Sequence, residues 1–274
     1  MEEKSEELKP WGTFAPKGSQ KLLLLIRKLG LARGRAKKLI KCAWLAQNPE
    51  TPVDIIYHEM KFRLHPWDNV NESKILFGSK SRDQPELDKV REFVGNGGVF
   101  LDIGANIGYY SLMAASYGAG RILAIEPNPI VRSRLNFNIS ANKLDGRVLS
   151  LPIALGDRSE MTTLFVADGD MGASKIGDLA TSGTPIQVAM KPLALVLAEE
   201  KINQIDAMKI DVEGMEDSVL FPFYENSPRS IWPRLVIIEH TSQQHWKRNV
   251  LTWMKESGYQ VIEQTRSNAV LRLT

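Results

Sequence analysis

From residue 99 onward, short and nearly uninterrupted apolar runs alternate with segments whose apolar positions have helical spacing. Residues 99–103, 121–126, 148–154, 207–211 and 235–239 have the pattern of strands, because a run that is apolar at successive positions suits a parallel strand covered on both faces. Residues 108–117 and 130–142 have helical spacing, and a later helix carrying Trp246, Val250, Leu251 and Met254 stops at Gly258. Residues 260–263 and 269–273 close the chain as a pair of strands. Such alternation predicts an α/β fold, a parallel-rich sheet with helices on both faces. Upstream, Asp54-Ile-Ile-Tyr-His-Glu-Met and Lys61-Phe-Arg-Leu-His partly alternate, which predicts a hairpin. Pro85 opens a helix that turns Leu87, Val90, Phe93 and Val94 inward. Residues 156–190 break the alternation. Within them, 162–166 and 185–189 have strand character and are joined through Asp168-Gly-Asp-Met-Gly172, a hairpin insert placed to cover a ligand or admit a substrate.

The first fifty residues follow neither pattern. Residues 1–20 are polar and contain proline and glycine, and they are expected to be loose. Between Lys21 and Lys41 lie eight basic side chains and no acid, with Leu25, Leu29, Ala32, Ala36, Leu39 and Ala43 on one helical face. Gly30 and Gly34 each weaken a helix there by about 1 kcal/mol. A basic amphipathic helix over 21–45 suits two settings: packed on the main domain with a solvated basic edge, or in peripheral contact with the anionic inner face of a membrane. The expected organisation is a basic extension (1–50), a hairpin and helix (51–98) and a main domain (99–274).

A chain of 274 residues can bury a full core. Its net charge of +3 makes no case for a nucleic-acid partner. Cys42 is the sole cysteine, which excludes an internal disulfide framework and a cysteine-rich zinc site and points to a reducing, cytoplasmic setting. No apolar stretch approaches the ~18 residues of a membrane span, and Met-Glu-Glu-Lys is no secretory signal. His58 and His65 lack metal-ligand spacing and are expected to pack or face solvent.

The most informative chemistry lies where the first strand ends in Asp102 and the chain turns through Gly104, Asn106 and Gly108 into a helix. Glycines at such a turn let the backbone approach a nucleotide closely. A pyrophosphate brought to this helix N-terminus would be repelled by a carboxylate, whereas a cation would be attracted. Asp102-x-Gly-x-Asn-x-Gly108 therefore favours S-adenosylmethionine, whose sulfonium and ammonium groups are positive. The second strand ends in Glu126, 24 residues later, near the ~20-residue offset of a ribose-binding acid. Asn128 and its flanking prolines wall the adenine or form a plain turn.

Four segments resemble the FkbM-type S-adenosylmethionine-dependent methyltransferases: Leu101-Asp-Ile-Gly-Ala-Asn-Ile-Gly-Tyr-Tyr-Ser111, Ala124-Ile-Glu-Pro-Asn128, Ala154-Leu-Gly-Asp157 and Met208-Lys-Ile-Asp-Val-Glu-Gly-Met-Glu216. The resemblance spans residues 53–274. It implies a class I, Rossmann-like, mixed seven-stranded sheet with a final antiparallel strand, and methyl transfer to oxygen, often on a sugar, glycan or natural product. It assigns the methionine end of the cofactor to Asp102, Gly104, Asn106 and Gly108, the ribose to Glu126, and the adenine to Ala154 and Asp157.

Chemistry is expected beyond the carboxyl ends of the fourth and fifth strands, at Asp211 and at Glu239-His240. Transfer to an alcohol needs alignment of the acceptor oxygen and removal of its proton. His240 titrates nearest neutrality and is the expected base, with Asp211 orienting it or taking the proton itself. Lys209 shares a sheet face with Asp211 and would keep it ionised. A divalent metal between Asp211 and Glu239-His240 is conceivable but not favoured, because imidazole is a poor magnesium ligand. Three rivals remain: an NAD-dependent oxidoreductase, opposed by Asp102; a nucleic-acid base methyltransferase, opposed by Asp211-Val-Glu-Gly214 where Asn/Asp-Pro-Pro-aromatic would stand; and a non-catalytic binding scaffold on the same sheet.

Overall fold

The structure, a computed structural model, describes residues 6–28, 34–47, 50–78, 83–177 and 182–274. Residues 6–14 are not loose, as their polarity suggested. They form a strap clamped by two buried side chains of the following hairpin. Arg63 ion-pairs with Asp54 at 2.8 Å and donates to the carbonyls of Glu6, Lys9 and Pro10. Asp54 in turn accepts from the amides of Gly12 (2.7 Å) and Phe14 (3.1 Å). A buried ion pair whose remaining hydrogen-bonding capacity is spent on backbone groups can order a polar segment that has no core of its own.

The basic region forms two helices, α1 (Ser19–Lys28) and α2 (Gly34–Gln47), pinned end to end by the Ser19 hydroxyl donating to Gln47. Gly34 starts α2 instead of interrupting a longer helix, consistent with its low helix propensity. The buried face also differs from the predicted one. Leu23, Leu24, Ile40 and Leu45 pack on the core and Trp44 is buried, whereas Leu25 and Leu39 are exposed. Leu29 and Ala32 lie outside the described residues. The predicted hairpin is β1 (Val53–Tyr57) and β2 (Met60–Leu64), paired antiparallel.

Two helices follow, α3 (Val70–Phe77) and α4 (Gln84–Val94). The main domain then runs β3 (Val99–Ile103), α5 (Tyr109–Ser116), β4 (Arg121–Ile125), α6 (Pro129–Ala141) and β5 (Val148–Leu151). The single strand expected over 148–154 is divided. Its second half, β6 (Ile153–Leu155), joins a separate four-stranded sheet with β7 (Glu160–Val166), β8 (Lys175–Ile176) and β9 (Thr184–Lys191). The chain continues through α7 (Leu193–Glu199), β10 (Ala207–Ile210), α8 (Glu216–Asn226), β11 (Leu235–Glu239), α9 (Val250–Glu256), β12 (Tyr259–Gln264) and β13 (Asn268–Leu273).

The main sheet has seven strands in the order β12-β13-β11-β10-β3-β4-β5. β11, β10, β3, β4 and β5 are mutually parallel, and β13 is inserted antiparallel between β11 and β12. Successive residues of each strand face opposite layers. Phe100, Ile122 and Ile237 join a cluster with Leu87, Leu112 and Leu135 of α4, α5 and α6. Leu101, Leu123 and Ile238 join another with Val196, Val219 and Met254 of α7, α8 and α9. The chain leaves β3 in one direction and returns as β10 on its other side, so a crevice opens at the carboxyl ends of β3, β4 and β10, where ligands bind in open sheets of this kind.

Candidate active site

Asp102 ends β3 buried, its Oδ2 accepting from the Ser111 amide (2.8 Å) and hydroxyl (2.6 Å) at the start of α5. Burial pushes its carboxyl up to about 6, against these bonds and the charge of Lys209. The chain then turns at Gly104, whose φ of +75° is in the left-handed region and where an added Cβ would lie 1.9 Å from the Asp211 carbonyl oxygen. Only a residue without a side chain lets the ends of β3 and β10 meet so closely. Asn106 follows at φ +51°, a conformation asparagine tolerates, and its Oδ1 accepts from the Ile107 amide and from Asn69. Gly108 caps α5 at φ +88°, where a Cβ would strike Leu135 of α6.

Glu126 follows β4. Its two oxygens accept from the amides of Asn106 and Asn128, each at 2.9 Å, which aims the carboxyl at the crevice. Burial pushes it up to about 7 despite those bonds. A cavity opens beside it, lined by Pro127, Ile153, Ala154, Leu155, Leu164 and Ile176 and by Ile103 and Gly104. An apolar slot ending in a carboxylate suits a flat heterocycle joined to a diol. A second chamber is also lined by Gly104, Asn106, Asn71 and Asp211, and adds Asp102, Tyr110 and Lys209. Lys209 lies opposite Asp102 in the parallel register, with its Nζ 3.4 Å from Asp211 Oδ2. This chamber therefore presents two carboxylates and one ammonium, complementary to the ammonium and carboxylate of an amino-acid tail.

The turn after β10 also carries Glu213, which follows Asp211 at the strand end where chemistry is expected. Glu213 lines the larger cavity and holds a left-handed φ of +56°. Burial, with the charge of Asp211 next, pushes its carboxyl up to about 7. Glu216 staples this turn: it accepts from the Val212 amide at 2.9 Å and the Trp246 indole at 2.6 Å. Asp211, Glu216 and Glu239 bring carboxylate oxygens within 4.8 Å of one another. Such hard oxygens suit a divalent cation. However, both oxygens of Glu216 already accept from the protein, and Glu239 accepts from the Thr241 hydroxyl.

The insert closes the mouth of the crevice. Asp170 accepts from the Val70 amide (3.0 Å), the Met171 amide donates to the Asp68 carbonyl (2.8 Å), and Asn128 donates to the Met171 carbonyl (3.1 Å) and the Ser174 hydroxyl. Gly172 and Ser174 thereby become cavity wall. Beneath them Arg134 is buried between Asp68 and Glu72, at 2.8 Å from each. Burial alone would raise the Glu72 carboxyl, but Arg134 and His65 outweigh it and hold it below its ordinary value.

Of the residues singled out from sequence, Asp102, Gly104, Asn106, Glu126, Ala154, Lys209 and Asp211 line the crevice. The others are placed differently. Asn128 is buried as the N-cap of α6 and as a tie to the insert, while Pro127 lines the slot. Asp157 is exposed beside Arg158. Glu239 sits behind Asp211, and His240 is absent from the residues lining either chamber. Its backbone amide donates to the Ser267 carbonyl, joining it to the turn before β13. Gly172, Ser174, Leu164 and Ile176 reach the site only through the folding of the insert, so no local signal marks them. Asn71 had one: Asn69, three residues before Glu72, is the signature of a helix start, and Asn69 does cap α3.

The strand order, counted within the main sheet, is 6-7-5-4-1-2-3, with only the seventh strand antiparallel, and it defines a class I, Rossmann-like methyltransferase fold. The Methyltransferase FkbM domain matches residues 102–261, more than half of the chain, and the chain belongs to that family. No curated protein matches it. Among solved structures, it is similar to the ribosomal protein L11 methylase of Lactobacillus delbrueckii subsp. bulgaricus, with a TM-score of 0.41 and 12% identity over 72% of this chain and 81% of that one. It is also similar to M. capricolum TrmK in complex with S-adenosyl-homocysteine, with a TM-score of 0.39 and 14% identity over 68% and 66%. A third is the Pyrococcus abyssi tRNA (uracil-54, C5)-methyltransferase in complex with S-adenosyl-L-homocysteine, with a TM-score of 0.43 and 10% identity over 81% and 43%.

Proposed function

We propose that the chain transfers a methyl group from S-adenosylmethionine to a hydroxyl oxygen of a small sugar, glycan or natural-product acceptor. The observation that carries this reading is the pair of buried carboxyls at the ends of adjacent parallel strands, Asp102 at the amino-acid chamber and Glu126 at the apolar slot. A negative floor favours a cationic donor and disfavours a pyrophosphate, which weighs against a nicotinamide coenzyme. When bound, S-adenosylmethionine supplies an electrophilic methyl group on a sulfonium leaving group. The protein's remaining tasks are alignment and proton removal.

Glu213 is the group best placed to take the proton. It lines the cavity, it is fixed by the stapled turn, and its carboxyl titrates near 7, where a base is half ready at neutral pH. Asp211, beside it, keeps Glu213 basic by charge repulsion. Lys209 balances Asp211 at the deep end. His240, the base expected from the sequence, lines neither chamber. Cys42 as sole cysteine suits a reducing, cytoplasmic setting.

Calorimetry with S-adenosylmethionine and with NAD tests the reading. Binding of the former alone, abolished in Asp102→Ala, is the expected result. Binding of NAD, or of neither, would overturn it. Methyl transfer to a panel of hydroxylated acceptors then separates an enzyme from a scaffold that merely holds the cofactor.

A further inference from the structure

We propose that the α1–α2 hairpin is a docking surface for an anionic lipid bilayer. Residues 8–49 contain ten Lys and Arg side chains and no Asp or Glu, although the whole chain is only +3, so the remainder of the molecule is net acidic. The hairpin's inner face is already committed, through Leu23, Leu24, Ile40 and Trp44, to the main core. It nevertheless carries a second set of apolar side chains turned to solvent: Leu22 (57% exposed) and Leu25 (49%) on α1, and Leu39 (70%) on α2. Leu22 and Leu25 are three apart and share one helix face. Exposed Lys21 and Lys38 directly precede Leu22 and Leu39 in the chain.

Exposed leucines set among exposed lysines match an interface that is anionic at its surface and apolar just beneath, where the headgroups take the cations and the acyl boundary takes the leucines. A soluble polyanion would use the charge and leave the leucines in water. A second copy of the same hairpin would set like charges against each other. Among the described residues no helix is long and apolar enough to cross a membrane, so the contact is interfacial. The Trp44 ring packs edge-on against Phe77, the last residue of α3, and Asn71 near the start of that helix lines the crevice. One short helix, about 12 Å at 1.5 Å per residue, therefore connects the docking face to the candidate active site.

Co-sedimentation of the full chain with vesicles tests this independently of any activity. Vesicles with about a third phosphatidylglycerol should retain the protein at least about tenfold better than phosphatidylcholine alone, and high salt should weaken the retention. The triple change Leu22→Ser, Leu25→Ser, Leu39→Ser and, separately, Lys21→Glu with Lys38→Glu should each cost about tenfold, with circular dichroism unchanged because all five side chains are exposed. Equal retention on neutral and anionic vesicles overturns the proposal. So does retention indifferent to the leucines yet fully competed by heparin, which would mark a polyanion site. A lipid-free dimer that the leucine changes convert to monomer would instead make this face a self-association surface.

Discussion

Asp102 and Glu126 should report ligand binding through their protons. Their carboxyls, raised by burial to about 6 and about 7, are largely protonated at mildly acidic pH in the free protein. A cationic tail beside Asp102 and a ribose diol donating to Glu126 both favour the ionised forms, so binding should release protons and tighten as pH rises from about 5 to about 8. Calorimetry in buffers of different ionisation enthalpy measures that release directly, and an affinity flat across this range would contradict the assignment. At Glu213, substitution by Gln keeps the shape of the turn and removes the base. Turnover should fall roughly 10²–10⁴-fold while cofactor affinity stays nearly unchanged, and the rise of wild-type activity with an apparent pKa near 7 should disappear. If Glu213→Gln turns over normally and His240→Ala does not, the base is His240. Glu213 stood in plain view in Asp211-Val-Glu-Gly214, but nothing in that string shows that the following turn is left-handed or that the carboxyl is desolvated. His240 drew attention as an imidazole next to a strand end, a feature of residue type and position that says nothing of its surroundings.

Elements matter here chiefly at their ends. At Gly104, an alanine would have to hold φ +75° and displace the Asp211 carbonyl, which cannot move without parting β3 from β10. Gly104→Ala should therefore lose roughly 3 kcal/mol or more of stability by denaturant unfolding, together with cofactor binding. Arg134 joins α6 to α3 and to the segment that carries the insert. Arg134→Met would leave Asp68 and Glu72 buried without their partner and should cost roughly 3–5 kcal/mol. Because Asp68 and Asn128 both hold Met171, limited proteolysis should cut residues 168–174 sooner in that variant. Strands covered on both faces were legible from their unbroken apolar runs. Three helices were not: α3 is short, α7 lies in an almost wholly apolar stretch without helical contrast, and α8 contains Pro222. The basic region had the right helical character but the wrong phase, since leucines occupy both faces of α1 and only docking on the core decides which face is buried.

For the whole molecule, the shifted groups set a pH dependence of stability. Asp102, Glu126, Glu213 and Glu216 have folded pKa values raised by burial, so the folded state keeps their protons longer than the unfolded chain. For Asp102, Glu126 and Glu213 this contribution declines as pH climbs from the ordinary carboxylate values through about 6 to 7, and Glu216 acts in the same direction. His65 is lowered by burial but raised more by Glu7 and Glu72. Its contribution is present below the ordinary 6.5 and is lost as pH rises through the raised folded value. Glu7 and Glu72, held low against their burial by His65 and Arg134 respectively, act oppositely and lose their contribution as pH falls below 4.5. The thermal midpoint of the free protein should therefore peak near about pH 5 and fall toward about pH 8, and saturating S-adenosylmethionine should flatten that fall. A midpoint that rises steadily to pH 8 in the free protein would contradict this balance. By itself the sequence determined the alternating sheet, the acidic strand ends and the donor they favour, because apolar periodicity, glycine placement and the sign of a charge are local properties. Tertiary structure alone decided which carboxyls are desolvated, which loop walls the apolar slot and which leucines stay in water, because burial is a relation between segments distant in the chain.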